Sequence, residues 1–237
     1  MKHEYLSDTH LYFSESVDLP NRSIKIEGEE ARHITSVMRF GVGSEVNITD
    51  GKGTIYHSEI TGIMDKGVTA KIIKETKYEN CSDNLTFCIP LMKNPDRFEF
   101  ALEKCVELGI TSFLVYSAET SIKKSFKAER WKKITIAAMK QSLRAYLPDI
   151  TTIQSLKAIK HLKGEKIVFD QKCEKQFSPL SLNPEEHHFL IFGPESGFSR
   201  NEYSDFDGKD FYNLTPNRLR TETAIILTAG LITLNIG

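Results

Sequence analysis

The chain has 237 residues, 40% of them hydrophobic, which is enough for one large core or two smaller ones. Its 31 Lys and Arg are balanced by 32 Asp and Glu, and the net charge of -1 excludes a global positive field for nucleic acid, so an RNA partner would need a local basic patch. The 4 cysteines include no CxxC pair, so neither a disulfide nor a zinc framework is expected, and Cys88 and Cys105 read as small core residues.

Residues 1–74 carry short alternating runs between glycines. Strands are expected at 23–26, 45–49, 54–60 and 68–73, with a hairpin turn at Asp50-Gly51-Lys52-Gly53 and further turns at Thr61-Gly62 and Lys66-Gly67. A helix over 29–39 interrupts them, with Ile34, Val37 and Met38 on its inner side. Many short strands around frequent turns point to a small β-barrel. The polar stretch 75–84 reads as a linker, and residues 85–237 as a second domain.

There the period changes. Strands are expected at 85–91, 111–116, 166–170, 188–192 and 211–214. Helices are expected at 95–108, stopped by Gly109, at 129–146, ended by Pro148, at 153–162, at 201–206 and at 219–234. This alternation implies an α/β domain with a mostly parallel sheet. The most apolar run, 224–236, is too short for a membrane span of roughly 20 residues and reads as a core helix. The start, Met1-Lys2-His3-Glu4-Tyr5, does not resemble a signal peptide, and a cytoplasmic location is expected.

Two loops carry most of the chemistry. Residues 190–199 run from a buried strand into Gly193-Pro194-Glu195-Ser196-Gly197, and Ser199 with Glu202 forms a capping-box pattern for the next helix. Ligands of α/β sheets bind beyond the carboxyl ends of strands, and glycines there let backbone approach a ligand. The spacing is not that of the dinucleotide-binding fingerprint. Residues 214–224 repeat the strand-to-helix layout. Arg218 and Arg220 stand near a helix start, where the dipole disfavours cations, so an anionic partner is expected. Thr221 is a candidate cap. An ordinary surface turn explains either loop equally well from pattern alone. Further basic candidates are Arg32, His33 and Arg39, then Lys93, Arg97 and Lys104, then the run Lys123, Lys124, Lys127, Arg130, Lys132 and Lys133. His187 and His188 have no metal-ligand spacing, and no hydrolase triad or nucleophile elbow is present.

These loops, in their order, resemble the ribosomal RNA small subunit methyltransferase E family of the knotted SPOUT methyltransferases. The resemblance runs along nearly the whole chain. Val37-Met38-Arg39 is similar to a family "VLR" sequence, and 103–109 to its "KatELG" helix. Trp131, Ala138, Gln141, Ser142, Arg144 and Pro148 follow its long helix, 193–199 its "GPEGGFS" loop and 219–224 its "LRTETA" segment. The resemblance implies a PUA-like β-barrel followed by a trefoil-knotted α/β domain, a homodimer without metal or membrane attachment, and S-adenosyl-L-methionine as methyl donor. It implies methylation at N3 of a uridine in 16S ribosomal RNA of the small subunit. Cofactor contacts are expected from Phe192, Gly193, Pro194, Glu195, Gly197, Leu214, Thr215, Asn217 and Leu219, and catalysis from Arg220 and Glu222, with Glu222 orienting Arg220 by a salt bridge. RNA contacts are expected from Arg32, His33, Arg39, Lys93, Arg97 and Lys104. The chain departs from the family pattern at Arg32, Ser196, Thr215 and Asn217-Arg218, and the branched Thr215 bears most directly on loop conformation. The alternatives are a methyltransferase of the same fold acting on another RNA site, a non-catalytic RNA-binding homologue, and a small-molecule enzyme.

Overall fold

The computed structural model describes residues 9–65, 67–120 and 125–236, leaving Met1–Tyr5, Lys66, Lys123 and Lys124 of the readings above outside the described residues. The chain divides into two compact units, one of residues 1–80 with 136–147 and the other of 81–135 with 148–237.

The first unit holds one sheet of β1 (Leu11–Phe13), β2 (Ser16–Asp18), β3 (Ser23–Glu27), β4 (Glu45–Thr49), β5 (Thr54–Met64) and β6 (Gly67–Lys77). Their order is β1-β4-β5-β6-β3-β2. Register shifts between His57 and Ser58 and between Ile60 and Gly62 bend the long β5–β6 ribbon. Inward residues of alternate position, among them Ile24, Ile26, Val46, Ile48, Ile60 and Val68, form the core. Two features escape sequence patterning. Strands β1 and β2 span only three residues each. The end of β6 covers 74–77, which sequence assigns in part to the linker. There the strand is exposed and charged, so it leaves no hydrophobic alternation, yet it pairs with the start of β5 through Thr54 and Lys77.

The helix expected over 29–39 is shorter and changes winding. α1 (Gly28–Arg32) passes into a π-helical turn at His33–Val37. The wider turn rotates the following side chains, so Ile34 is buried but Val37 is 62% exposed, against the expected inner face. Arg39 then takes a left-handed conformation, φ 59°, and ends the segment.

The second unit is built on a wholly parallel sheet of β7 (Leu85–Pro90), β8 (Ser112–Tyr116), β9 (Asp149–Ile153), β10 (Glu165–Phe169), β11 (His188–Phe192) and β12 (Phe211–Tyr212), in the order β12-β10-β11-β7-β8-β9. Helices are α2 (Pro95–Glu107), α3 (Ala128–Gln141, whose residues from 136 onward belong to the first unit), α4 (Lys157–Lys160), α5 (Arg200–Ser204) and α6 (Thr221–Ile236), and α2 packs on α6. Every residue of β7 and β11 is buried, as the continuous apolar runs require. The helix expected at 153–162 is confined to α4, and strand β9 has no counterpart among the expected elements and meets that expected range only at Ile153. Its exposed threonines carry no apolar period, and its pairing with β8 decides the matter. No helix among the described residues is long and apolar enough to cross a membrane.

The helix expected over 129–146 ends at Gln141, because Leu143 turns left-handed at φ 57° and residues 143–147 leave the helix. Within the first unit this segment lies along the 50–53 hairpin. Gly53 N donates to Ala145 O at 2.9 Å, Thr49 Oγ1 donates to the same carbonyl at 3.2 Å, and Leu147 N donates to Gly51 O at 2.9 Å. These bonds satisfy backbone groups that a continuing helix would have paired internally.

Candidate functional site

The register of the second sheet explains where the site lies. Phe169 at the end of β10 pairs with both Phe192 of β11 and Tyr212 of β12. The three following loops therefore leave neighbouring parallel strands at one level, at their carboxyl ends, where α/β sheets bind ligands. They enclose a cavity of about 660 Å³, within the range of small-molecule sites. Phe192, Gly193, Pro194, Glu195 and Gly197 line one side. Leu214, Thr215, Asn217 and Leu219 line another, with Arg220 and Glu222 beyond them.

Hydrogen bonds fix the first loop on its strand. Buried Tyr116 donates its hydroxyl to Phe192 O at 2.6 Å, and burial raises its pKa well above the ordinary value, so the donor stays protonated. Phe192 stacks on Phe169 at 4.9 Å. Thr221 Oγ1 donates to Gly193 O at 3.0 Å, which joins the two loops instead of making the expected cap. Lys93 N donates to Glu195 Oε2 at 3.0 Å. Gly197, at φ 78°, closes a turn by donating to Pro194 O at 2.8 Å. Ser199 and Glu202 form the expected capping box on α5. Glu202 also accepts from Glu119 N at 3.0 Å, so the box anchors the segment after β8 as well.

The departures from the family pattern are accommodated. Thr215 is not among the left-handed non-glycine residues, which are Arg22, Arg39 and Leu143 among the described residues, so its branched side chain costs no backbone strain. Its hydroxyl donates to Asn217 O at 2.8 Å and its N–H donates to Asn213 Oδ1 at 3.2 Å, closing a local turn. Ser196 meets Thr120, oxygen to oxygen, at 2.6 Å.

Among the RNA candidates, Arg97 lines the cavity, whereas Lys93 and Lys104 do not. Arg97 Nε stands 3.6 Å from Glu222 Oε1, so Glu222 pairs with Arg97 and not, as expected, with Arg220. The physical reason is the helix start: Arg220 precedes the first turn of α6 and its carbonyl accepts from Ala224 N, while the Glu222 side chain turns inward and is buried. Arg220 itself is exposed. Lys104 donates to Glu103 and Glu107 at 2.7 Å each, which raises its pKa and offsets its charge locally. Arg32, His33 and Arg39 belong to the first unit, and Arg32 and Arg39 are exposed. In the basic run, Arg130 is engaged by Glu99 through two bonds of 2.6 Å.

Sequence reasoning missed the third wall, Asp170-Gln171-Lys172. The signal was present: Asp170 ends an expected strand and Gln171 and Lys172 follow it, and the carboxyl-end rule applies to it as to the other two. They lack the glycines that draw attention to a binding loop.

A family model described as an RNA methyltransferase domain matches residues 79–233, and one described as an RNA methyltransferase PUA domain matches residues 26–73. The ribosomal RNA small subunit methyltransferase E of Aquifex aeolicus is 28% identical, with 94% of this chain and 98% of that protein covered. A probable rRNA methyltransferase from Porphyromonas gingivalis superposes with a TM-score of 0.83 at 25% identity, covering 96% of this chain and 98% of that one. A ribosomal RNA small subunit methyltransferase E from Neisseria gonorrhoeae, bound to S-adenosyl methionine, superposes with a TM-score of 0.81 at 23% identity, covering 95% and 97%. The fold is thus the expected one, a small PUA-like β unit joined to a SPOUT-type α/β domain. With its two parts matched in order and both loops at one cavity, the chain belongs to the RNA methyltransferase family of the ribosomal RNA small subunit methyltransferase E type.

Proposed function

We propose that the chain transfers a methyl group from S-adenosylmethionine to N3 of a uridine in 16S ribosomal RNA of the small subunit, working in the cytoplasm. The observation that carries this reading is the cavity beyond β10, β11 and β12, walled by the two loops that bear the family motifs. Its residues fit such a donor. The volume suits a nucleoside with an amino-acid tail. At Gly193 a Cβ would meet the Phe198 ring at 3.1 Å and press on it, so the glycine lets the loop present backbone to the cavity with that ring in place. Phe192–Gly197 and Leu214–Leu219 would hold the donor, which when bound supplies the methyl group on a sulfonium.

The chain's own task is to align the uracil and stabilise its negative charge as N3 gives up its proton. Arg220, exposed at the cavity wall, is assigned that role. Glu222 is assigned a positioning role through Arg97. RNA backbone contacts are assigned to Arg32, His33, Arg39 and Lys93, with Lys104 anchoring its helix. Arg39→Ala should weaken RNA binding and reduce the salt slope of log K by about 1. An unchanged salt dependence in a fluorescence-anisotropy titration would remove Arg39 from the contact set.

The functional test is a methyl-transfer assay on assembled small subunits and on naked RNA, with mass-spectrometric mapping of the product nucleotide. Methylation of uridine at N3 is expected, and a different nucleotide or ring position would overturn the substrate assignment.

We also assign a homodimer. Helix α6 carries no charge after Glu222, and its Leu234 is 83% exposed, so a second copy would remove apolar surface from water. Light scattering should give twice the chain mass, and Leu234→Asp should weaken the dimer at least about tenfold. A monomer at micromolar concentration in the unsubstituted protein would sink the assignment.

A further inference from the structure

The geometry points to Arg97 as a further ligand-contacting residue of the cavity, held in place by Glu222 and aimed at an oxyanion of a bound ligand. This rests on the methyltransferase reading of the cavity. Arg97 stands in the first turn of α2, whose start is capped by Asn94 Oδ1 accepting from Asp96 N at 2.8 Å. A cation there gains nothing from the helix dipole, so its placement needs another cause. Glu222 supplies part of it. Its carboxylate is buried, with relative exposure of 9%, and Oε1 lies 3.6 Å from Arg97 Nε. Its second oxygen, Oε2, is buried without a hydrogen-bond partner. A buried carboxylate is costly unless a cation answers it, and Arg97 is that cation.

The pairing does not exhaust Arg97. Its side chain is 41% exposed and lines the cavity, and 3.6 Å is an ion-pair distance beyond ordinary hydrogen bonding, so donors of its planar fork remain available to a ligand there. The surrounding charge has the same sense. Arg97, Lys172, Arg218 and Arg220 line the cavity against Asp170, Glu195 and Glu222. Two of those carboxylates already accept backbone N–H groups, Glu195 from Lys93 and Asp170 from Lys172. The group that best matches an arginine fork under these conditions is an oxyanion. Two sources share that chemistry: the carboxylate of the donor's amino-acid end, and a phosphodiester beside the target nucleotide.

The test uses the full chain with Arg97→Ala, Arg97→Lys and Glu222→Gln. Each is titrated calorimetrically with S-adenosylhomocysteine and by anisotropy with a labelled RNA carrying the target, at several salt concentrations, and each is melted. Arg97→Ala should weaken one ligand at least about tenfold. Arg97→Lys should recover part of that loss. Glu222→Gln should weaken the same ligand and add nothing in the Arg97→Ala background, because the two act as a unit. A loss confined to S-adenosylhomocysteine identifies the carboxylate, and a loss confined to RNA with a salt slope smaller by about 1 identifies the phosphate. Affinities for both ligands that stay unchanged while the melting temperature falls would overturn the proposal, leaving the pair a packing element. If Arg97→Ala does not fold, Arg97→Lys and Glu222→Gln decide by the same readouts. Failure of the unsubstituted chain to bind S-adenosylhomocysteine would instead sink the reading of the cavity.

Discussion

Arg220→Ala is expected to lower the methyl-transfer rate by about 10²–10³-fold, the usual cost of removing one preorganised electrostatic donor, while leaving S-adenosylmethionine affinity within about twofold. The asymmetry follows from position. Arg220 stands immediately before α6, is exposed, and lines the cavity beside the loop assigned to the donor. Glu222, two residues on, is committed to Arg97 at 3.6 Å, so its carboxylate does not neutralise Arg220 by that pairing. A cation left available at the mouth of a cavity gains most when negative charge develops in front of it, which happens on the way to the transition state and not on donor binding. Single-turnover kinetics and calorimetry on the same preparation separate the two. Equal losses in rate and in donor affinity would show that Arg220 serves binding uniformly, and the catalytic assignment would fall.

The second large effect is one of stability. Gly51→Ala should destabilise the first unit by about 3 kcal/mol, the sum of left-handed backbone strain and overpacking, and lower its apparent melting temperature by roughly 12–24 °C. Gly51 has φ 73°, and a Cβ there would lie 2.6 Å from Leu147 Cβ and 3.3 Å from the Phe13 ring. Neither obstacle can swing aside easily, because Leu147 N donates to Gly51 O at 2.9 Å and holds the two backbones together. Gly53 is under the same constraint from the Tyr146 ring, whose hydroxyl donates to Tyr78 O at 3.0 Å. In contrast, Gly43→Ala keeps the φ penalty, at φ 88°, but meets nothing within 4 Å, so it serves as the strain-only control. A melting temperature for Gly51→Ala equal to that of Gly43→Ala would show that residues 143–147 do not grip the hairpin.

The two substitutions bear on different parts of the sequence signal. Arg220 belongs to a strand-to-helix loop visible from an apolar run, a polar turn and a second apolar run. Gly51 belongs to a hairpin visible as Asp-Gly-Lys-Gly, but its partner Leu147 is 96 residues away in the chain and lies in a segment that reads as uninterrupted helix. Local pattern registers the turn and is blind to what packs on it. The same blindness explains α1. Its apolar spacing suits a regular helix, and the π turn at His33–Val37 that exposes Val37 has no local sequence signal at ordinary helical spacing.

By itself the sequence determined the α/β character of residues 85–237, the β-rich character of 1–74, and the two strand-to-helix loops after β11 and β12. These follow from hydrophobic period and turn residues, which act over a few positions. Only the tertiary structure decided that β10 lies between β11 and β12, and so that Asp170–Lys172 form the third wall of the cavity. It also decided that residues 136–147 belong with the first unit, and that Glu222 pairs with Arg97 across more than a hundred residues of chain. Each of these depends on strand order or on a side chain's burial. Both are set by long-range packing, which no window of neighbouring residues contains.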